Sequence, residues 1–160
     1  MNLEVGVNME NTENMKRIYA IEEQCAGCGL CQVHCAVAHS KHKNDIVKAY
    51  KLEGKKPAAR VVFEERKPVT FALQCRHCDN SPCTRACITG AMQKDPKTGV
   101  VTNDISRCVG CWSCIMVCPF GSIQRDEREK KAASKCDLCM ESGDMPACVK
   151  NCPNEALKYE

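Results

Sequence analysis

With 160 residues, 4% aromatic content and a 44% hydrophobic share that includes sixteen cysteines, the chain lacks the material for a large apolar core and is confined to one small domain or two very small ones. Its formal charge of +3 comes from scattered lysines and arginines with little aromatic interleaving, which argues against a nucleic-acid-binding face. No apolar run reaches bilayer length, and the polar stretch Met1 to Lys16 has no signal-peptide core, twin-arginine or lipidation motif, so a cytoplasmic protein with reduced thiols is expected.

In chain order, residues 1–16 read as a flexible extension, with Met15 as a second candidate start. Ile18 to Ile21 predicts a short strand entering a first cysteine group, Cys25-x2-Cys28-x2-Cys31-x3-Cys35. A helix is expected over Ala36 to Ser40. The basic segment Lys41 to Lys56 follows as a partly helical connection, either a solvated link or a docking face. Ala59 to Glu64 and Val69 to Leu73, with Pro68 between them, read as a hairpin feeding the second group, Cys75-x2-Cys78-x4-Cys83-x3-Cys87. The turn signal Asp95 to Gly99 and the strand Val100 to Thr102 lead to the third, Cys108-x2-Cys111-x2-Cys114-x3-Cys118. Arg125 to Lys131 reads as a charged, solvated link before the fourth, Cys136-x2-Cys139-x8-Cys148-x3-Cys152.

Three segments that follow closing cysteines align without gaps: Cys87-Ile-Thr-Gly-Ala-Met-Gln-Lys, Cys118-Pro-Phe-Gly-Ser-Ile-Gln-Arg and Cys152-Pro-Asn-Glu-Ala-Leu-Lys-Tyr. Each has a small residue (Ala91, Ser122, Ala156) and then an apolar one (Met92, Ile123, Leu157). This repeat predicts units in which the closing cysteine starts a short helix and the chain leaves in a short strand. The first unit, with Ala36-Val37-Ala38-His39, breaks the pattern.

The first and third groups are the C-x2-C-x2-C-x3-C run that holds [4Fe–4S] clusters, and the third adds Pro119. Three thiolates at that spacing wrap one face of a cubane, while the fourth points away; in two-cluster ferredoxins it ligates the other cluster. No cysteine is left over, so four quartets predict four [4Fe–4S] clusters, with iron held through all sixteen thiols. Zinc pairs usually come as separated C-x2-C knuckles, and disulfides suit secreted scaffolds. Neither needs three cysteines in one such run. Cluster ligation must then supply much of the folding free energy. Each cubane with its thiolates carries −2 oxidised or −3 reduced, which takes the net charge from +3 to about −5 or about −9. The basic residues are thus mainly counter-charge. No G-x-G-x-x-G, P-loop or acid–base constellation is present, and a non-catalytic carrier of single electrons is expected. The competing reading is a structural or assembly module, either a zinc scaffold or a filament-forming subunit.

Spacing leaves two pairings open: the second quartet with the third inside the first and fourth, or the first with the second and the third with the fourth. The order of the quartets, with Cys75-Arg-His-Cys78 and Cys108-Val-Gly-Cys-Trp112, resembles the four-cluster iron–sulfur electron-transfer subunits of the CO dehydrogenase, formate dehydrogenase, hydrogenase and dimethyl-sulfoxide-reductase groups, over Ile18 to Glu160. Cys25-Ala-Gly-Cys-Gly-Leu-Cys with Cys35-Ala-Val-Ala-His-Ser is most similar to the iron–sulfur subunit serving CO dehydrogenase. The resemblance implies a small α+β fold of tandem bacterial-ferredoxin-like units with little regular secondary structure. An outer unit (17–74 and 119–160) would enclose an inner one (75–118). It implies ligand exchange as well: Cys25, Cys28, Cys31 with Cys152; Cys75, Cys78, Cys83 with Cys118; Cys108, Cys111, Cys114 with Cys87; and Cys136, Cys139, Cys148 with Cys35. The partner implied is a catalytic redox subunit. CO dehydrogenase comes first, then formate dehydrogenase, aldehyde oxidoreductase, hydrogenase or a flavin NAD(P) oxidoreductase. The chain departs from membrane-associated members in lacking a C-terminal hydrophobic anchor and long insertions between quartets, so a compact shuttle or small subunit is expected.

Four neighbours of the cysteines stand out. Trp112, between two ligands, is expected either to exclude water and tune a potential or to pack in the core. His34, His39 and His77 are not expected to ligate iron, and His77 is assigned to the surface or to hydrogen bonding. Lys135 either offsets thiolate charge or is solvated.

Overall fold

Short strands and helices alternate with cysteine loops along residues 15–54, 57–66, 68–126, 133–142 and 145–160, which the computed structural model describes. In chain order they are β1 (Ile18–Ala20), α1 (Leu30–Ala38), α2 (Ile46–Lys51), β2 (Val62–Arg66), β3 (Val69–Leu73), α3 (Pro82–Arg85), β4 (Met92–Lys94), β5 (Val101–Asn103), α4 (Ser113–Met116), β6 (Gln124–Arg125), β7 (Ala133–Ser134), α5 (Ala147–Lys150) and β8 (Leu157–Tyr159). Residues 1–14, 55–56 and 127–131, which carry most of the expected extension and charged link, lie outside the described residues.

The strands pair as four separate antiparallel ribbons: β1 with β8, β2 with β3, β4 with β5, and β6 with β7. The first joins the two ends of the described chain, with Ile18 opposite Tyr159 and Ala20 opposite Leu157. It is extended by the Glu160 amide donating to the Arg17 carbonyl at 3.1 Å. The expected hairpin is β2–β3, with Val62 opposite Leu73. Asp95 to Gly99 makes the expected turn into β5: the Gly99 amide donates to the Asp95 carbonyl at 2.8 Å, and Gly99 has φ +66°, where glycine is favoured.

The basic connection contains α2, started by Asp45, whose carboxylate accepts the Lys48 amide at 2.9 Å. The helix expected after Cys35 begins earlier than the sequence suggested. It starts at Leu30, immediately after Gly29 turns through φ +69°, and contains both Cys31 and Cys35. These two are buried together with Ala36 and Val37, Cys31 and Cys35 lying one above the other as positions i and i+4 do.

The same spacing corrects the expected role of the closing cysteines. They end helices rather than start them. Cys83, Cys114 and Cys148 sit inside α3, α4 and α5, and Cys87, Cys118 and Cys152 follow one turn later. Their amides close the turn onto Thr84, Ile115 and Val149 at 3.3, 3.3 and 3.1 Å. The x3 spacing is one helical turn, so the helix must lie between the last two cysteines. After them the repeat holds. The fourth residue of each segment (Gly90, Gly121, Glu155) has positive φ, and the next two (Ala91 and Met92, Ser122 and Ile123, Ala156 and Leu157) are buried.

Two apolar clusters result. One gathers Ile18, Val61, Ala72, Val100, Leu138 and Leu157 with Cys31, Cys35, Cys75, Cys136 and Cys148. The other joins Met92, Val101 and Ile123 to Cys83 and Cys114. Cysteine is a substantial part of both, as the shortage of ordinary apolar residues requires.

Candidate iron–sulfur centres

The opening C-x2-C of each quartet shares one backbone device. The residue before the second cysteine has a left-handed conformation in each: Gly27 (φ +68°), His77 (+45°), Gly110 (+71°) and Leu138 (+59°). The bend turns the chain around its own cysteines. In two loops an amide inside the bend donates to the first sulfur, His77 to Cys75 and Leu138 to Cys136, each at 3.4 Å. Glycine adopts this bend freely, whereas His77 and Leu138 hold it at a cost of about 1–2 kcal/mol each. Both are nearly fully buried, which is what holds them there.

The thiols converge across quartets. One cavity is lined by Cys25, Cys28, Cys31 and Cys152, with Phe63 and Ala72. A second is lined by Cys75, Cys78, Cys83 and Cys118, with Val101 and Phe120. Cys87, Cys108, Cys111 and Cys114 line a third, with Met92 and Trp112. The remaining four also interact: Cys148 is within electrostatic reach of Cys136, Cys35 and Cys139. Electrostatic influence between sets follows a chain. Cys148 also reaches Cys31, and Cys136 reaches Cys75. Helices α3 and α4 carry the second and third sets side by side. All sixteen thiols are free of disulfide bonds, and only Cys28 and Cys111 are exposed.

Burial pushes the Cys31 and Cys114 thiols up to about 11 and raises Cys136 and Cys148 as well. Such thiols ionise only against a strong local cation, which a metal centre supplies. Cys87 and Cys118 are held low instead. On each, partial burial is outweighed by hydrogen bonds: the Met92 amide at 3.4 Å and Thr89 hydroxyl at 3.7 Å on Cys87, and the Ser122 hydroxyl at 3.5 Å on Cys118. Four thiols facing a cavity, some with N–H or O–H donors on sulfur, form a donor set that fits an iron–sulfur cluster.

The family model of the 4Fe-4S dicluster domain matches residues 67–160, a stretch holding three of the four quartets. The chain is 37% identical to the putative electron transport protein YsaA of Escherichia coli K12, over 88% of this chain and 87% of the relative. It is 34% identical to the thiosulfate reductase electron transfer subunit PhsB of Salmonella typhi, over 86% and 71%. A 35% identical match covers 88% of this chain but only 21% of the putative oxidoreductase AegA of E. coli K12, so there the chain corresponds to about a fifth of a longer protein. The chain belongs to the 4Fe–4S dicluster family. It is an iron–sulfur electron-transfer protein, and the matched family is named for its [4Fe–4S] clusters.

Around the dicluster loops, several side chains lie elsewhere than the sequence suggested. His77 is 1% exposed, which removes it from the surface; its Nδ1 accepts the Val101 amide at 3.0 Å. Burial, aided by the Lys135 charge, holds its imidazole down at about 3. Lys135 is buried at 3% exposure, not solvated. Trp112 is half-exposed, outside the core, with Arg125 stacked 4.9 Å from its ring. His34 is half-buried on α1.

A network at Cys35 went unseen in the sequence. The Arg60 amide donates to Cys35 Sγ at 3.2 Å, and the Arg60 guanidinium donates to Asp137 at 2.5 Å. His39 contacts Asp137 through Nε2 at 3.0 Å and the Cys35 carbonyl through Nδ1 at 2.8 Å. Burial pulls the His39 imidazole down, but its hydrogen bonds to Asp137 and Cys35 outweigh this and leave it raised to about 9. Asp137 opposes burial in the same way, held below the usual carboxylate range by His39 and Arg60. Arg60 and Asp137 are separated by 77 residues, so no local pattern could have joined them.

Proposed function

We propose that this chain is a polyferredoxin of two nested two-cluster units that relays single electrons between a catalytic redox enzyme and a second donor or acceptor. Bound [4Fe–4S] clusters supply one-electron chemistry, at potentials that burial and hydrogen bonding set within roughly −700 to +450 mV. Four centres are assigned. Cys25, Cys28, Cys31 and Cys152 hold the first; Cys75, Cys78, Cys83 and Cys118 the second. The third is held by Cys108, Cys111, Cys114 and Cys87, and the fourth by Cys136, Cys139, Cys148 and Cys35. The observation that carries the reading is that three cavities each combine three thiols from one loop with a closing cysteine from another.

The nested order of an outer unit (17–74 and 119–160) and an inner one (75–118) is supported by the pairing of β1 with β8 across the chain ends. Cys28 and Cys111 expose thiols in the first and third sets. The succession of neighbouring sets runs from the first to the third, which supports Cys28 and Cys111 as the points of electron entry and exit. Sixteen free thiols and iron–sulfide chemistry suit a reducing, cytoplasmic setting.

The partner proposed first is CO dehydrogenase, on the resemblance carried by Cys25 to Cys31 and Cys35 to Ser40. Formate dehydrogenase, aldehyde oxidoreductase, hydrogenase or a flavin NAD(P) oxidoreductase would use the same module. Iron, sulfide and zinc content of anaerobically purified protein tests the relay, with EPR after dithionite reduction. About sixteen irons and sixteen sulfides with interacting S = 1/2 signals are expected. Zinc without sulfide, or far fewer irons, would sink the reading.

A further inference from the structure

Lys135 is 3% exposed in a chain with few core residues. Burying an ammonium is costly unless an anion compensates it. Its Nζ donates to the carbonyl oxygens of Val101 and Cys136, the latter at 3.0 Å. Two carbonyls satisfy hydrogen bonds but leave the unit charge to be balanced. Three carboxylates line the same cavity, and of these Glu141 is largely exposed and paired with Lys43 at 3.0 Å. Asp137 is held by Arg60 and His39, and Asp126 has contacts of its own.

The ammonium lies where two thiol sets meet. Val101, fully buried, lines the cavity of Cys75, Cys78, Cys83 and Cys118. Cys136 belongs to the neighbouring set and is within electrostatic reach of Cys75. The Lys135 charge acts on Cys83 as well. On its amide side, Val101 donates to His77 Nδ1. A backbone N–H can only donate, so Nδ1 is bare and neutral His77 carries its proton on Nε2. His77 and Lys135 therefore grip Val101 from both sides, and only Lys135 brings charge.

Resting on the four-centre reading above, we propose that Lys135 is the shared counter-charge of the centres held by the Cys75 set and by the Cys136 set, and that it eases electron uptake by both. One-electron reduction adds one negative charge to a centre, so a fixed cation stabilises the reduced form more than the oxidised one. In a buried setting salt does not screen this effect away.

Lys135→Gln removes the charge at similar length, and Lys135→Arg keeps it. Both variants of the full chain are purified anaerobically beside the parent protein, and iron, sulfide and EPR-monitored midpoint potentials are measured. Lys135→Gln is expected to lower two of the midpoint potentials and leave the others in place, while Lys135→Arg stays near the parent. Loss of about half the iron in Lys135→Gln but not in Lys135→Arg supports the same role, because the charge is then needed for loading. Unmoved potentials in fully loaded Lys135→Gln, or equal changes in both variants, overturn the inference and leave a packing role. A parent protein far short of about sixteen irons overturns the four-centre reading itself.

Discussion

The Cys136 set and the Cys108 set are built on the same C-x2-C bend, yet their surroundings are opposite. Cys35, Cys136, Cys139 and Cys148 are all at or below 8% exposure, with Arg60, His39, Asp137 and Lys135 packed around them. In the other set Cys111 is exposed, and the residues beside its cysteines reach water: Ile88 at 76%, Val109 at 60% and Met116 at 83%. The bend is local and needs only a residue that tolerates positive φ. Insulation is not local. It comes from segments far apart in the chain, and it separates an enclosed set of thiols from one that is open to solvent.

The largest expected effect contrasts the two sets directly. Cys148→Ser removes a thiol from the enclosed set, where metal binding and folding are one process worth on the order of 10 kcal/mol. Loss of about four irons with collapse of the cooperative unfolding transition is expected. Cys111→Ser, at the exposed set, should disturb its own centre and leave that transition in place. Equal damage from both would remove the contrast. Next in size, Ile18→Ala opens a cavity where β1 packs on the enclosed side and should cost about 3 kcal/mol, read by denaturant unfolding of the loaded protein.

Arg60→Met tests the network at Cys35. It leaves the backbone donor on the sulfur but deprives half-buried Asp137 of a cation, and about 2 kcal/mol of stability should be lost. Asp137→Asn should cost less in that background than in the parent protein, because the Arg60 contact is already gone and only the His39 contact is left to weaken. The smallest effect is expected at the open set. Met116→Ser should change stability by less than about 0.5 kcal/mol, since the side chain is mostly in water. A larger loss would mean that this face is part of the core, and the comparison would fail.

Much of this was legible in linear spacing. C-x3-C is one helical turn and C-x2-C one tight bend, so the quartets, the β2–β3 hairpin, the Asp95 to Gly99 turn and the three-fold repeat are all short-range patterns. The helix position was misjudged because the closing cysteine was read as its first residue, although the turn between the last two cysteines is where the helix must lie. For His77 and Lys135 the sequence leaves a solvated and an interior role open, and the structure takes the interior one in both. Nothing local says that Val101 will bring its amide to one and its carbonyl to the other.

By itself, then, the sequence determined the chemistry: cysteine number, cysteine spacing and the iron–sulfur class, because ligand loops are encoded within a few residues. Only the tertiary structure decided which thiols face one another, which centre is enclosed, and where Arg60, His39, Asp137 and Lys135 bring their charges. The Arg60–Cys35 and His39–Asp137 contacts cross 25 and 98 residues of chain, and Cys25 and Cys152 line one cavity from opposite ends of it. At such separations burial and charge balance choose the partners, and no pattern along the chain records the choice.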